Sequence, residues 1–218
     1  MKRFALARNI FLGLCLVVGG GLSMRAIAGP GHDHDAKAKG AKIGDVAPDF
    51  SLVDQNGTAV RLSDHKGKIV VLEWFNNECP YVVKFYRDGH MNKFAQAAKD
   101  KGVIWLAVNS TSPSMKQDST VTDKSISEQW KIDRPILNDG TGEVGHLYGA
   151  KRTPHMYVVN ADGVLAYMGA IDDNPSADTA DIAGAKNYVM QAIDELQAGK
   201  SVSQAETKAY GCGVKYAK

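Results

Sequence analysis

The sequence predicts an α/β fold in which a mixed central sheet is flanked by helices and preceded by a β-hairpin. Three observations lead there. The short, β-branched apolar runs Lys68–Glu73 and Val103–Asn109 read as buried strands. Strand-like and helix-like stretches alternate along the chain. Two turn signals, Asp54-Gln55-Asn56-Gly57 and Asn160-Ala161-Asp162-Gly163, lie between extended segments and predict hairpins.

Residues 1–28 stand apart from this fold. Lys2, Arg3 and Arg8 form a basic start, Asn9 to Met24 is largely apolar and uncharged, and Ala26-Ile27-Ala28 supplies the small residues of a cleavage site. The pattern predicts an export signal, and with it a periplasmic or secreted protein. The uncharged run falls short of the ~20 residues that span a bilayer, so no stable membrane anchor is expected after cleavage; an uncleaved anchor is the alternative. Cys15 leaves with this segment. So do four basic residues and no acid, which turns the formal net charge from +2 to a negative value. The basic balance is thus a targeting feature and makes no case for nucleic acid as a partner. Residues 29–42 read as a disordered linker. His32 and His34 lie there beside two aspartates, a composition more often solvated than metal-binding.

The remaining elements follow in order. Ala47–Leu52 and Ala59–Leu62 form the hairpin, and 68–75 is the first core strand. A helix begins at Pro80, breaks at Asp88-Gly89 and resumes to Gly102. After the 103–109 strand, 110–124 lacks a period and reads as a loop at the active end. A helix over 125–131, a strand over 135–137 and a short helix over 144–148 come next. Pro154 opens a strand that runs to Asn160, where its missing N–H does no harm. A return strand covers 164–168, and an amphipathic helix runs from about 182 to 198, stopped by Gly199. Residues 199–218 form a tail containing Gly211-Cys212-Gly213.

Cys79 carries the chemistry. It lies between a buried strand and a helix that starts with Pro80, which suits the first helical position because its missing N–H would be unpaired there. A sulfur at that junction faces the positive end of the helix, which favours thiolate over thiol. The carboxyl end of a core strand is also where open α/β sheets place their chemistry. Glu73 is a carboxylate in an otherwise apolar strand. It is either a desolvated group able to accept a thiol proton or a residue on the strand's wetter side.

The strand–Cys79-Pro80–helix junction, the Thr153-Pro154 strand start and the Asn160–Gly163 hairpin resemble the thioredoxin fold in its redoxin form. Residues 43–198 are similar to the peroxiredoxin-like branch of the alkyl hydroperoxide reductase and thiol-specific antioxidant superfamily. The resemblance implies a cis Thr153–Pro154 bond facing Cys79, with Pro80, Thr153 and Pro154 shaping a substrate groove. It implies a proton-relay role for Glu73, which occupies the offset of the buried thioredoxin aspartate. Thioredoxins place a second cysteine three residues after the first; here that position is Val82, so no local dithiol exists. Peroxiredoxins carry a proline seven residues and a threonine or serine three residues before their reactive cysteine, where this chain has Leu72 and Asn76. They also carry a later arginine, where this chain has Pro154, with Arg152 close by as a substitute. These departures predict slow peroxide turnover.

Cys212 is the available partner for Cys79, since export leaves two cysteines in a compartment that permits disulfides. Its flanking glycines suit a segment that swings, which makes it a resolving thiol in thiol–disulfide exchange. The other reading is a permanent staple, worth about 5 kcal/mol for a loop of this length. The activity expected is that of an exported thiol–disulfide oxidoreductase acting on protein or small-molecule thiols and disulfides. A thiol peroxidase and a non-catalytic redoxin scaffold are the alternatives. His90 and His155 are the histidines placed to approach Cys79, but no spacing makes a ligand set, and neither a metal nor a cofactor is predicted.

Overall fold

A computed structural model describes residues 40–218. The export segment, His32, His34 and most of the linker lie outside the described residues. Seven strands form one sheet in the order β2-β1-β5-β4-β3-β7-β8. These are β1 (Ser51–Asp54), β2 (Ala59–Arg61), β3 (Val70–Trp74), β4 (Ile104–Asn109), β5 (Ile136–Asn138), β7 (His155–Val159) and β8 (Leu165–Gly169). A second, two-stranded sheet joins β6 (Arg152–Thr153) to β9 (Cys212–Gly213). β3, β4 and β5 run parallel, β7 lies antiparallel beside β3, and β8 pairs antiparallel with β7 at the sheet edge. The helices are α1 (Pro80–Arg87), α2 (His90–Asp100), α3 (Asp123–Trp130), α4 (Glu143–Tyr148) and α5 (Tyr188–Gln197).

β3 is the centre. All five of its residues are buried, and their alternation divides the core. Val71 packs with Phe75, Cys79 and the apolar sides of α1, α2 and α5. Val70, Leu72 and Trp74 pack on the other side with Phe50, Leu62 and α4. The mixed, two-sided sheet expected from the alternating pattern is therefore present, with the hairpin of β1 and β2 at one edge. The helix break at Asp88-Gly89 is also present, because Gly89 takes a left-handed conformation (φ 70°) that separates α1 from α2.

Three expectations are corrected. The last helix starts at Tyr188, not near 182: residues Thr179–Ile182 form a 3₁₀ turn, Gly184 reverses the chain with φ 86°, and the Asn187 side chain caps α5 by accepting from the Met190 N–H at 3.0 Å. The linker ends before residue 41, since Ala41 donates to the Leu147 carbonyl at 3.0 Å and packs on the core. The tail is docked. The β8 residue Met168 donates its N–H to the Ala205 carbonyl at 3.0 Å and accepts from the Thr207 N–H at 3.1 Å, and the Thr207 hydroxyl accepts from the Ala170 N–H at 2.9 Å. Further on, Tyr216 stacks on His146 with ring centroids 4.0 Å apart and donates to the Ala150 carbonyl at 2.8 Å.

One polar cluster is buried in the Cys79 half of the core. Glu73 is wholly buried and accepts from the Tyr86 hydroxyl (2.7 Å), the Trp105 indole (2.9 Å) and the Arg134 guanidinium (3.3 Å). Arg134 also donates to the Tyr86 oxygen at 2.7 Å and to Asn92 at 3.0 Å. Burial raises the Tyr86 hydroxyl well above its ordinary titration range, so it remains a donor. Removing one member of such a pair leaves a buried charge without its counter-charge. Arg134→Met is expected to lower stability by about 3–5 kcal/mol in urea unfolding. The double variant Glu73→Leu/Arg134→Met should recover most of that loss, and a single variant within 1 kcal/mol of wild type would show the pair to be dispensable.

Candidate active site

Cys79 caps α1. Its backbone is extended (φ −86°, ψ 119°), Pro80 fills the first helical position, and the Cys79 carbonyl accepts from the Val82 and Val83 N–H groups at 2.9 and 2.8 Å. The thiol lies at the N-terminal end of α1 and donates to the Thr153 carbonyl of β6 at 3.0 Å. The Thr153–Pro154 bond is cis, the geometry that the resemblance implies. β9 lies antiparallel beside β6, with Cys212 opposite Thr153 and Gly213 opposite Arg152. This pairing sets the Cys212 thiol beside the Cys79 sulfur, and both are free thiols. Burial first, and the adjacent Cys79 sulfur next, push the Cys212 thiol up, while Lys215 and Arg152 pull the other way.

The tail approaches closely because Gly211 permits it. Its φ is 111°, and a β-carbon there would lie 2.2 Å from the Thr153 carbonyl oxygen. On one side of Cys212, the Tyr210 hydroxyl donates to the buried Asp172 carboxylate. On the other side, Lys215 pairs with Glu78, the residue directly before Cys79, and the Lys215 carbonyl accepts from the Ser112 N–H at 2.8 Å. Burial acts to raise the Glu78 carboxyl. Lys215 and the Gln117 N–H outweigh it and hold the group below its usual range. Closure is nearly complete: Cys79 is 1% exposed, whereas Cys212 is half-buried.

The structure gathers Cys79, Pro80, Thr153, Pro154 and Cys212 in one place. Glu73 does not belong to that group. Its oxygens are committed to Tyr86, Trp105 and Arg134, and no hydrogen bond among the described residues links it to Cys79. The geometry replaces the proton-relay role with that of a counter-ion, because Arg134 enters the core just ahead of β5. His155 is also turned away. Strand alternation places it beside Tyr157 on the opposite face from Met156 and Cys79. It accepts from the Lys151 N–H at 3.4 Å, and burial holds its ring down to about 4. Among the described residues no group of three or more His, Cys, Asp or Glu side chains could hold a metal ion. No described helix is long and apolar enough to cross a membrane.

Sequence reasoning missed Glu78, Lys215, Asp172 and Tyr210, the residues that fasten the tail on both sides of Cys212. The one local signal was the position of Glu78 next to Cys79 and of Lys215 three residues after Cys212. Two further groups border the site. Asn76 Nδ2 and Thr153 Oγ1 are buried polar atoms without a protein partner, and the carbonyls of the same residues accept from the Cys79 N–H (3.1 Å) and thiol (3.0 Å).

Residues 43–168 match the AhpC/TSA family. The thiol-disulfide oxidoreductase ResA of Bacillus cereus is 27% identical over 128 residues, which cover 59% of this chain and 69% of that protein. Among solved structures, an uncharacterized conserved protein from Geobacillus kaustophilus superposes with a TM-score of 0.70 at 27% identity, covering 81% of this chain and 93% of that one. The peroxidoxin BcpB of Mycobacterium tuberculosis superposes with a TM-score of 0.50 at 26% identity, covering 66% and 94%.

Two measurements probe this geometry. Gly211→Ala places a methyl group against the Thr153 carbonyl, so the tail should lift. Alkylation of Cys79 in the reduced protein is then expected to accelerate roughly tenfold, the factor that ~1.4 kcal/mol of lost docking gives. An unchanged rate would mean that the tail does not shield Cys79. His155 is neutral when folded and titrates near 6.5 when unfolded, so the unfolded chain binds the extra proton between pH 6.5 and about 4. Its contribution is complete above pH 6.5, declines as pH falls through that window, and changes no further below about 4. The loss amounts to about 3 kcal/mol. Urea midpoints at pH 7 and pH 4.5 should differ less for His155→Gln than for wild type, and equal differences would contradict the assignment.

Proposed function

The chain belongs to the AhpC/TSA family, and on that premise we propose that it is an exported thiol–disulfide oxidoreductase whose redox pair is Cys79 and Cys212. One observation carries the reading: the β6–β9 pairing holds two free thiols side by side at the end of a core strand, with Val82 rather than a cysteine three residues after Cys79. The similarity to ResA supports the same class of reaction. The basic start and apolar segment of residues 3–24 support export to a compartment where disulfides persist.

The cycle follows from the positions of the two sulfurs. With the tail raised, the Cys79 thiolate attacks one sulfur of a substrate disulfide, forming a mixed disulfide and expelling one substrate thiolate. The helix N-terminus disperses the charge on Cys79 before attack. As the tail returns, Cys212 gives up its proton and attacks the Cys79 sulfur. The Cys79–Cys212 disulfide forms and the second substrate thiolate leaves. Two electrons pass from the dithiol to the substrate. Thr153 and Pro154 bound the groove, and Pro80 fixes the helix start beneath Cys79.

A second reading, reduction of a small peroxide at Cys79, draws on the unpartnered Asn76 Nδ2 and Thr153 Oγ1. Two buried donors beside a thiol could hold a peroxide oxygen. Leu72 stands where peroxiredoxins carry proline, which disfavours efficient turnover by this route.

Peptide mapping of the oxidised protein without reduction tests the main reading. One cross-linked peptide joining Cys79 to Cys212 is expected, opened by mild reductant while the protein stays folded. Full labelling of both cysteines in oxidised protein, or intermolecular links alone, would remove the pair. A bond that resists mild reduction would make the tail a staple. Cys212→Ser should accumulate the mixed disulfide on Cys79 when given a disulfide substrate, and its steady-state turnover should be lost.

A further inference from the structure

We propose that Lys215 is the positioning residue of the resolving step: its ion pair with Glu78 returns Cys212 to Cys79, and its charge travels with the sulfur that must become a thiolate. The proposal rests on the Cys79–Cys212 redox pair and adds the residue that makes the second thiol competent.

Two positions carry it. Glu78 directly precedes Cys79, and Lys215 lies three residues after Cys212. Their ion pair therefore joins the near neighbours of the two sulfurs. Both side chains are largely shielded, with 13% of Glu78 and 23% of Lys215 exposed, so salt screens this pair less than a surface pair. Glu78 is aimed without help from the tail. One of its oxygens accepts from the Gln117 N–H at 2.8 Å, which leaves the other for Lys215. A returning tail thus meets a carboxylate already in place. Once paired, Lys215 is held at its backbone too, where its carbonyl accepts from the Ser112 N–H at 2.8 Å.

The chemistry needs a cation here. In the resolving step Cys212 gives up a proton, and its thiolate attacks the Cys79 sulfur of the mixed disulfide. The Cys79–Cys212 bond forms and the bond from Cys79 to the substrate sulfur breaks. The substrate thiolate leaves with the electron pair and takes up a proton. Burial opposes the loss of the Cys212 proton. Among the groups packed around Cys212, Cys79 at the start of α1, Arg152 on β6 and Lys215 on the tail act on its sulfur, while Asp172 is committed to Tyr210. Cys79 carries neither proton nor charge in the mixed disulfide, which leaves the two cations. Arg152 is exposed and fixed on β6. Lys215 moves with Cys212. It also covers a negative charge, because an unpaired Glu78 beside Cys79 would repel the incoming thiolate. Docking therefore removes a repulsion as it supplies an attraction.

The test uses the reduced full chain carrying Cys15→Ser, mixed with one equivalent of the neutral disulfide dithiodipyridine. Each displaced thiopyridine absorbs, so attack by Cys79 and resolution by Cys212 appear as two phases. Cys212→Ser is the control and should release the first equivalent only, with the adduct on Cys79. A second equivalent released by that variant overturns the redox pair and with it this proposal. With the control in place, Lys215→Met should slow the second phase several-fold. Its first phase should be no slower than that of the parent, since a loosened tail uncovers Cys79. Lys215→Arg, which keeps the charge, should resolve at close to the parent rate. A second arm separates charge from docking: in a Cys79→Ser background, alkylation of Cys212 is followed against pH. A cation beside a thiol favours the thiolate, so loss of Lys215 should move the profile up by about one pH unit. An unchanged second phase in Lys215→Met, an arginine variant as slow as the methionine variant, or a profile that stays in place overturns the proposal while leaving the redox pair intact.

Discussion

The short pairing of Thr153 with Cys212 is the contact on which the site depends. Thr153 offers its carbonyl to the Cys79 thiol and its strand edge to the tail. One residue therefore fixes the position of both sulfurs. In a local dithiol, helix geometry alone spaces the two cysteines. Here β9 must find its register from far along the sequence, and a slip of one residue would turn Cys212 to the opposite face. The fastenings on either side of Cys212 make that slip costly. Gly211 admits the close approach, Lys215 finds Glu78, and Tyr216 packs against α4.

The sulfurs are inequivalent in access as well as in chemistry. Cys79 belongs to the core and the helix, while Cys212 belongs to the surface strand. A partner that approaches the closed site meets the tail first. A partner that needs Cys79 must wait for the tail to rise. The half-buried ion pair at Glu78 and the buried carboxylate at Asp172 hold the tail in place on either side of Cys212.

Much of this was legible in the sequence where the cause is local. The β3 strand, the Cys79-Pro80 junction, the Gly89 break and the hairpin at Asn160–Gly163 each follow from a few adjacent residues, and each is present. What could not be read depends on residues brought together by the fold. Glu73 looked like a relay because its strand is apolar; its counter-ion Arg134 lies 61 residues away. The tail is polar, rich in glycine and aperiodic, so nothing in its pattern announced a docked strand. The start of α5 was placed too early because Ile182 continues the apolar spacing, although Gly184 and the Asn187 cap interrupt the backbone. His155 was one residue out of phase: only the register of β7 against β3 shows that it faces away from Cys79.

The separation of the two cysteines also orders the assembly of the protein. Pairing β6 with β9 closes a long loop, and loops of that kind close after the local contacts have formed. The strand, its helix and the Thr153 carbonyl must be in place before the tail has an edge to join. Until then Cys79 is a solitary thiol, and Cys212 rides on an untethered strand. A chain that stalls before its sheet is complete cannot bring the two sulfurs together. Formation of the thiol pair therefore serves as a chemical record that the domain around it has folded.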